Sequence, residues 1–387
     1  MRVWLTCATA VLAAALFPAT GVAQSDVEQS GNRPFMITVL AHRVSWHSVP
    51  GGWDHASVMP RDWPHGYASN DPGVIADINK QMSDAGIWSM SSWWGWEQGK
   101  SFGGDVFMDA FLSVPGPPTA VLYEATGRLK NNLELKGIPE GKGGEDYDFS
   151  EPFNADTFVN DMVYLHSKYF TGAHADRFLR IDGRPIVFIW VSHAFTGPFD
   201  AVMARVRAQV PVYLIGSDFS VPAHFREGIE HVVPAMDAIS SYGGYDPNQF
   251  GLEMDGKYIA AFRGALAQWR GWLAANTHGV KIMPPMIFNY DERLIPGRHG
   301  YHFHASLDVA RQYAQEVRNA IADPCQTGIL PMTFIVSYDE CYEGTCIIPS
   351  IEYQSQYQDM VHEVFKDPVI ITREQRQGCS SHDNPRR

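Results

Sequence analysis

Eight short β-type runs, each followed by a stretch with helical periodicity, constrain this chain more than any other feature. The runs are residues 36–41, 87–93, 120–123, 185–191, 212–216, 238–242, 282–288 and 333–336. Several are continuously apolar, as expected of parallel strands covered on both faces. Between them, Asp71-Pro72 reads as an N-cap followed by a first-turn proline. Val74, Ile78 and Met82 then follow at steps of four, and Gly86 ends the helix. Phe158, Met162, Leu165 and Tyr169 make a second stripe, and Phe262, Leu266, Trp269 and Leu273 a third. Ala310, Tyr313, Val317 and Ile321 are stopped by Pro324, and Tyr353, Tyr357, Val361 and Val364 by Pro368. Stripes at this spacing face a core. Alternating βα units with eight strands predict an α/β fold, a single-domain (β/α)8 TIM barrel with long βα loops on its C-terminal face. A doubly wound open sheet is the alternative. No G-x-G-x-x-G follows the first run and no P-loop is present, so its nucleotide-binding versions lack their motif.

The ends of the chain set its compartment. Arg2, an apolar run over residues 3–17 and small residues up to Ala23 form the pattern of a secretory signal peptide. That run is too short to span a bilayer. The expected layout is a signal peptide over 1–23, a linker over 24–33, the barrel over 34–372, and a polar, disordered tail over 373–387. Four of the five cysteines lie beyond the signal: Cys325, Cys341, Cys346 and Cys379. In an exported protein they allow two disulfides in three pairings. A Cys341–Cys346 bridge would bracket Glu343 and stiffen its loop. The expected location is secreted or periplasmic. With 43 acidic against 30 basic residues, net charge −13 and no Lys/Arg block, nucleic acid is not an expected partner.

In a barrel, the C-terminal ends of the strands converge on one pocket. Here they supply His42 and Trp46, then Trp93 and Trp94, then Tyr123, Glu124 and Arg128. Later runs add Ser192, His193, Asp218 and Tyr242, then Asn289, Tyr290, Asp291 and Arg293, and finally Glu340 and Glu343. Two polar insertions, residues 43–70 and 129–154, fall on the same face. Carboxylates, aromatic platforms and many hydrogen-bonding groups are the profile of a carbohydrate site. Glu340 and Glu343, three residues apart just past a strand, are suited to act as acid and base on one bond. The plainer reading makes them an acidic surface turn, the aromatics core packing, and Glu124 a structural partner of Arg128. Four histidines in and before the first insertion, His42, His47, His55 and His65, match no zinc spacing and read as solvated loop residues. No metal and no cofactor are expected.

The eighth segment, Ser337-Tyr-Asp-Glu-Cys-Tyr-Glu-Gly-Thr-Cys-Ile-Ile-Pro349, resembles the S-F-N-E-W-x-E-G-T-x-I-E motif of glycoside hydrolase family 99, the endo-α-mannosidases and endo-α-mannanases. Trp53-Asp-His55 with Pro60 is similar to that family's W-N-H…P loop. Gly86 to Trp94, Tyr123 to Arg128, Asp237 to Tyr242 and Asn289 to Asp291 resemble further segments in the same order. The resemblance spans roughly residues 35–350. It implies a (β/α)8 barrel and a retaining, metal-independent hydrolase of α-mannosidic bonds. Glu340 would act as base on the sugar 2-hydroxyl, which attacks its own anomeric carbon to give a 1,2-anhydro sugar. Glu343 would protonate the leaving oxygen and later activate water. Tyr123 and Tyr242 would lie beside the reacting sugar, and Glu124, Trp93, Trp94, Trp46, Asn289, Tyr290, Arg128 and His55 complete the expected substrate contacts. The motif's Asn is Asp339 here, its Trp is Cys341 and its last Glu is Ile348. Asp339 should raise the apparent pKa of the acidic cluster. A hydrolase of another α-linked glycan, a non-catalytic glycan-binding barrel and a polysaccharide-assembly barrel are the competing readings.

Overall fold

The computed structural model describes residues 34–47, 53, 55–95, 104–132, 146–217, 229–241, 258–277, 279–298, 300 and 302–379. Eight parallel strands form one sheet: β1 Thr38–Arg43, β2 Ile87–Trp93, β3 Thr119–Glu124, β4 Arg184–Trp190, β5 Tyr213–Gly216, β6 Ala238–Ile239, β7 in two pieces, Lys281–Ile282 and Pro285–Met286, and β8 Met332–Ile335. The sheet runs from the first piece of β7 through β6, β5, β4, β3, β2, β1 and β8 to the second piece of β7. Its two edges are therefore one segment, interrupted only by Met283 and Pro284, and the sheet closes into a (β/α)8 barrel. The interruption has a local cause. Pro284 and Pro285 have no N–H to give to a ladder. Neighbouring side chains take up the carbonyls instead: Ser240 Oγ donates to Met283 O at 2.6 Å, Thr333 Oγ1 to Pro284 O at 2.7 Å, and Tyr313 OH to Pro285 O at 2.8 Å.

Strand register divides the wall into an inner and an outer face. Leu40 pairs with Phe334, Leu122 with Phe188, and Glu124 with Trp190. The Phe188 and Phe334 rings, from β4 and β8 on opposite sides, meet at 4.8 Å. That contact fixes this set as the barrel interior, since side chains in register share a face. The alternate set, Arg43, Trp93 and Tyr123 among it, faces the helices.

The helices are α1 Pro72–Asp84, α2 Gly104–Ser113, α3 Pro152–Leu165, α4 Phe199–Arg207, α5 Tyr258–Asn276, α6 Leu307–Ala322, α7 Gln356–Phe365 and α8 Arg373–Cys379. Asp71 caps α1, accepting from Gly73 N at 2.7 Å and Val74 N at 3.3 Å, and Gly86 leaves it at φ +70°. The stripes expected on α3, α5 and α6 are buried in one contiguous core. Tyr353 lies ahead of α7, which begins at Gln356, and is half-buried.

The tail departs from expectation. Residues 373–379 form α8, fastened by the Cys325–Cys379 disulfide to the turn after α6. A short polar segment gains order when a covalent link limits its freedom. Residues 1–33 and 380–387 lie outside the described residues, so the expected signal peptide and linker do too; within the described residues no helix is long and apolar enough to cross a membrane.

Candidate active site

The loop after β8 folds around hydroxyl groups. Ser337 Oγ accepts from Glu340 N at 2.7 Å and lies 2.9 Å from Thr345 Oγ1, while Thr345 Oγ1 donates to Glu340 O at 3.1 Å. The peptide bond between Val336 and Ser337 is cis. The Cys341–Cys346 disulfide spans the loop and brackets Glu343. Gly344 takes φ +64°, and a Cβ there would meet Ser57 Oγ at 2.4 Å, so the first insertion lies directly on the loop. The insertion is laced down further by Arg61 N donating to Pro349 O at 2.8 Å. Trp53 packs against both Tyr342 and His47.

Glu340 is 5% exposed and its carboxylate accepts from Tyr342 N at 3.0 Å. Burial, reinforced by the charge of Glu343, pushes its pKa up to about 8. Glu343, whose side chain is 20% exposed, is also shifted up by burial; Arg298 opposes that shift and Glu292 adds to it. The charge of Glu343 thus reaches the Glu340 carboxyl. Arg298 Nη2 donates to Glu343 Oε1 at 3.3 Å, and its Nη1 lies 3.9 Å from Glu292 Oε2. Tyr290 OH donates to the same Glu292 oxygen at 2.7 Å. Asp291 N donates to Glu343 O at 2.7 Å, tying the hairpin Asn289–Asp291/His302–His304 to the acid loop.

Asp339 has another task. It is fully buried and accepts from Arg43 Nε, Val44 N and Tyr67 OH, each at 2.9 Å. It therefore anchors β1 and the first insertion to the loop. Its charge does contribute to raising Glu340, but less than burial and Glu343 do.

A second group of side chains occupies the inner face at the ends of β1 to β4. His42 Nε2 is 2.8 Å from Ser92 Oγ, which donates to Glu124 Oε1 at 3.0 Å. Burial lowers the His42 pKa to about 4, so the ring is neutral at pH 7. The His42 ring lies against Trp46 and Trp190, and Trp46 meets Trp94 edge-on at 5.8 Å. Gly127 backs Trp94 so closely that a Cβ would sit 2.3 Å from its ring.

The remaining sequence candidates fall elsewhere. Trp93 and Tyr123 are on the outer face: Trp93 Nε1 donates to Asp105 at 3.0 Å, and Tyr123 OH donates to Asp161 of α3 at 2.9 Å. Arg128 binds the same Asp161 through two nitrogens, at 2.9 and 2.8 Å, rather than Glu124. Asn289 is buried and accepts from Tyr357 of α7 at 3.2 Å. His55 is exposed. His42 and His47 are buried rather than solvated, because strand ends and the packed insertion enclose them; His47 Nε2 is 2.8 Å from Asp339 O. Tyr242 and Asp218 lie outside the described residues. Among the described residues, no group of three or more His, Cys, Asp or Glu side chains could hold a metal ion. Sequence reasoning missed Glu292 and Arg298. The only signal was an acidic residue and a basic one beyond the seventh run, a pattern common in loops.

No family model and no curated protein matches the sequence. Solved structures do match by shape. One described as a glycoside hydrolase-like protein is 17% identical, with a TM-score of 0.63, covering 87% of this chain and 95% of its own. Two structures of the family 99 endo-α-mannosidase from Bacteroides thetaiotaomicron are 16% and 15% identical with TM-scores of 0.58, covering 90% and 89% of this chain and 99% of their own. At such identity the likeness speaks to fold, and it agrees with the barrel traced above.

Proposed function

We propose that this chain is an exported glycoside hydrolase that cleaves α-mannoside-like linkages in a polysaccharide or glycan with retention, through Glu340 and Glu343. The observation that carries the reading is the electrostatically coupled carboxyl pair at the end of β8, one member buried and shifted to about 8. Two carboxyls on one loop, both shifted up by burial and one of them also by the charge of the other, are suited to acid–base work on one bond. Support comes from the motif, from the family 99 structures of the same fold, and from the inner-face group of Trp46, Trp94, Trp190 and Glu124, which suits stacking and hydrogen bonding to a polyol. His42 Nδ1 and Trp94 Nε1 are buried there without a protein partner among the described residues. Two disulfides fit an oxidising compartment.

In the first step Glu340 takes the proton of the sugar 2-hydroxyl, O2 attacks C1, and Glu343 protonates the departing oxygen. In the second, Glu343 takes a proton from water, which opens the three-membered ring at C1 while Glu340 returns its proton to O2. Two inversions leave the configuration unchanged, and no metal or cofactor takes part. The reverse division of labour has one observation in its favour: with its pKa raised to about 8, Glu340 carries a proton at neutral pH in the free protein.

Aryl glycosides separate the two assignments. A good leaving group needs little protonation, so the variant lacking the acid keeps the first step on it, read as kcat/KM, while ring opening by water slows; the variant lacking the base on O2 loses activity on all substrates. Glu343→Gln is expected to lose at least about 100-fold on natural α-mannan linkages and to recover on activated aryl mannosides. Glu340→Gln is expected to be inactive on both. The opposite pattern exchanges the roles. Binding of mannans and α-glucans by the wild-type protein without any released product would replace the hydrolase with a glycan-binding barrel.

A further inference from the structure

We propose that Arg298, set between Glu292 and Glu343, is a positioning residue that fixes the Glu343 carboxyl and sets its charge. The inference rests on the hydrolase reading above and adds to it two residues outside the motif. They lie in the loop that connects the two strands of the hairpin after β7, on a different element from the acid pair. Arg298 reaches Glu343 at 3.3 Å and Glu292 at 3.9 Å. Glu292 is 3% exposed and is held from the other side by Tyr290 OH at 2.7 Å. Arg298 itself is half-exposed, so it costs little to desolvate while its guanidinium still reaches a largely enclosed carboxylate. Among the described residues, the charged and titratable groups at Glu343 are Arg298 and Glu292 on that loop, Tyr290 and Asp291 on the hairpin, and Glu340 on its own loop. Asp291 is already engaged by Arg293, at 2.7 and 2.8 Å. Arg298 is therefore the cation that answers the negative charge of Glu343.

The chemistry gives that cation a use in both steps. A positive neighbour makes protonated Glu343 a stronger donor to the leaving oxygen. It then favours the carboxylate that must act as base on water.

The test is carboxyl titration by 13C NMR on glutamate-labelled protein, with Glu343→Gln used for assignment and no substrate present. In Arg298→Gln the Glu343 titration is expected to move up by about half a pH unit or more, the modest size reflecting solvent screening at a half-exposed group. Arg298→Lys restores most of the shift. Glu292→Gln moves Glu343 the other way, because it removes a like charge. If the wild-type protein hydrolyses a substrate, the acid limb of its kcat/KM–pH profile follows the same signs, with KM little changed. A Glu343 titration that Arg298→Gln leaves in place overturns the proposal. A wild-type protein that turns over no glycan overturns the hydrolase reading instead, and the titration still decides what Arg298 does.

Discussion

Tyr123 and Glu124 are adjacent in sequence and face opposite ways. Glu124 points into the barrel mouth with Trp190, while Tyr123 points at α3, where it shares Asp161 with Arg128. The same alternation turns Trp93 outward and leaves Ser92 inward. A list of strand-end residues cannot make this distinction, because in a wall apolar on both sides the alternation has no polar face to mark it. The consequence is measurable. Tyr123→Phe removes a hydrogen bond to a buried carboxylate and should cost about 2 kcal/mol of stability. Because the ring faces the helix layer, KM for any glycan substrate should stay within about twofold, a change of less than roughly 0.5 kcal/mol. Denaturant unfolding and steady-state kinetics on the same variant check both halves. A large rise in KM with unchanged stability would restore Tyr123 to the substrate site.

At the scale of elements, the two disulfides have different work. Cys341–Cys346 is buried and closes a loop of a few residues around Glu343; Cys325–Cys379 is more exposed and fastens α8. Loop-closure entropy assigns about 2 kcal/mol to the first and about 4 kcal/mol to the second. The larger stabilisation thus lies far from the chemistry. Replacing Cys325 and Cys379 by Ser should lower the melting temperature and leave kcat unchanged. Replacing Cys341 and Cys346 should cost less stability and more activity, since the loop loses the constraint that holds Glu343 beside Arg298 and Tyr290. Mild reductant should open the more exposed bridge first, which thiol labelling with mass mapping would show. The sequence made much of this level readable. The eight β runs, the core stripes of α3, α5 and α6, and the β8 loop with its bracketing cysteines all carry short-range patterns with a physical cause. The helix at 373–379 and the contact of Arg298 with Glu343 carry none. Both depend on a partner distant in sequence, Cys325 in one case and the β8 loop in the other.

Over the whole molecule, buried histidines and buried glutamates shape the dependence of stability on pH with opposite signs. His42 is about 4 in the folded protein against 6.5 unfolded, so between those values the unfolded chain binds more protons and stability rises with pH. His47 is shifted in the same direction and adds to that slope. Glu340 is about 8 folded against 4.5 unfolded, so between those values the folded protein binds more protons and stability falls as pH rises. From 4.5 to 6.5 the slopes oppose each other. Above 6.5 the histidine slopes end and the Glu340 slope persists, at about 1.4 kcal/mol per pH unit, or about 2 kcal/mol lost between pH 6.5 and 8; Glu343, raised in the same direction, has the same sign. Glu340→Gln keeps the neutral form's shape and cannot ionise, so its stability should be level across that interval and exceed wild type at pH 8. Urea unfolding of both proteins at pH 6.5 and 8 makes the comparison. Parallel losses in the two would mean that Glu340 is already ionised at neutral pH. Its carboxyl would then be better solvated than its 5% exposure allows, and the raised pKa on which the carboxyl pair is argued would be gone.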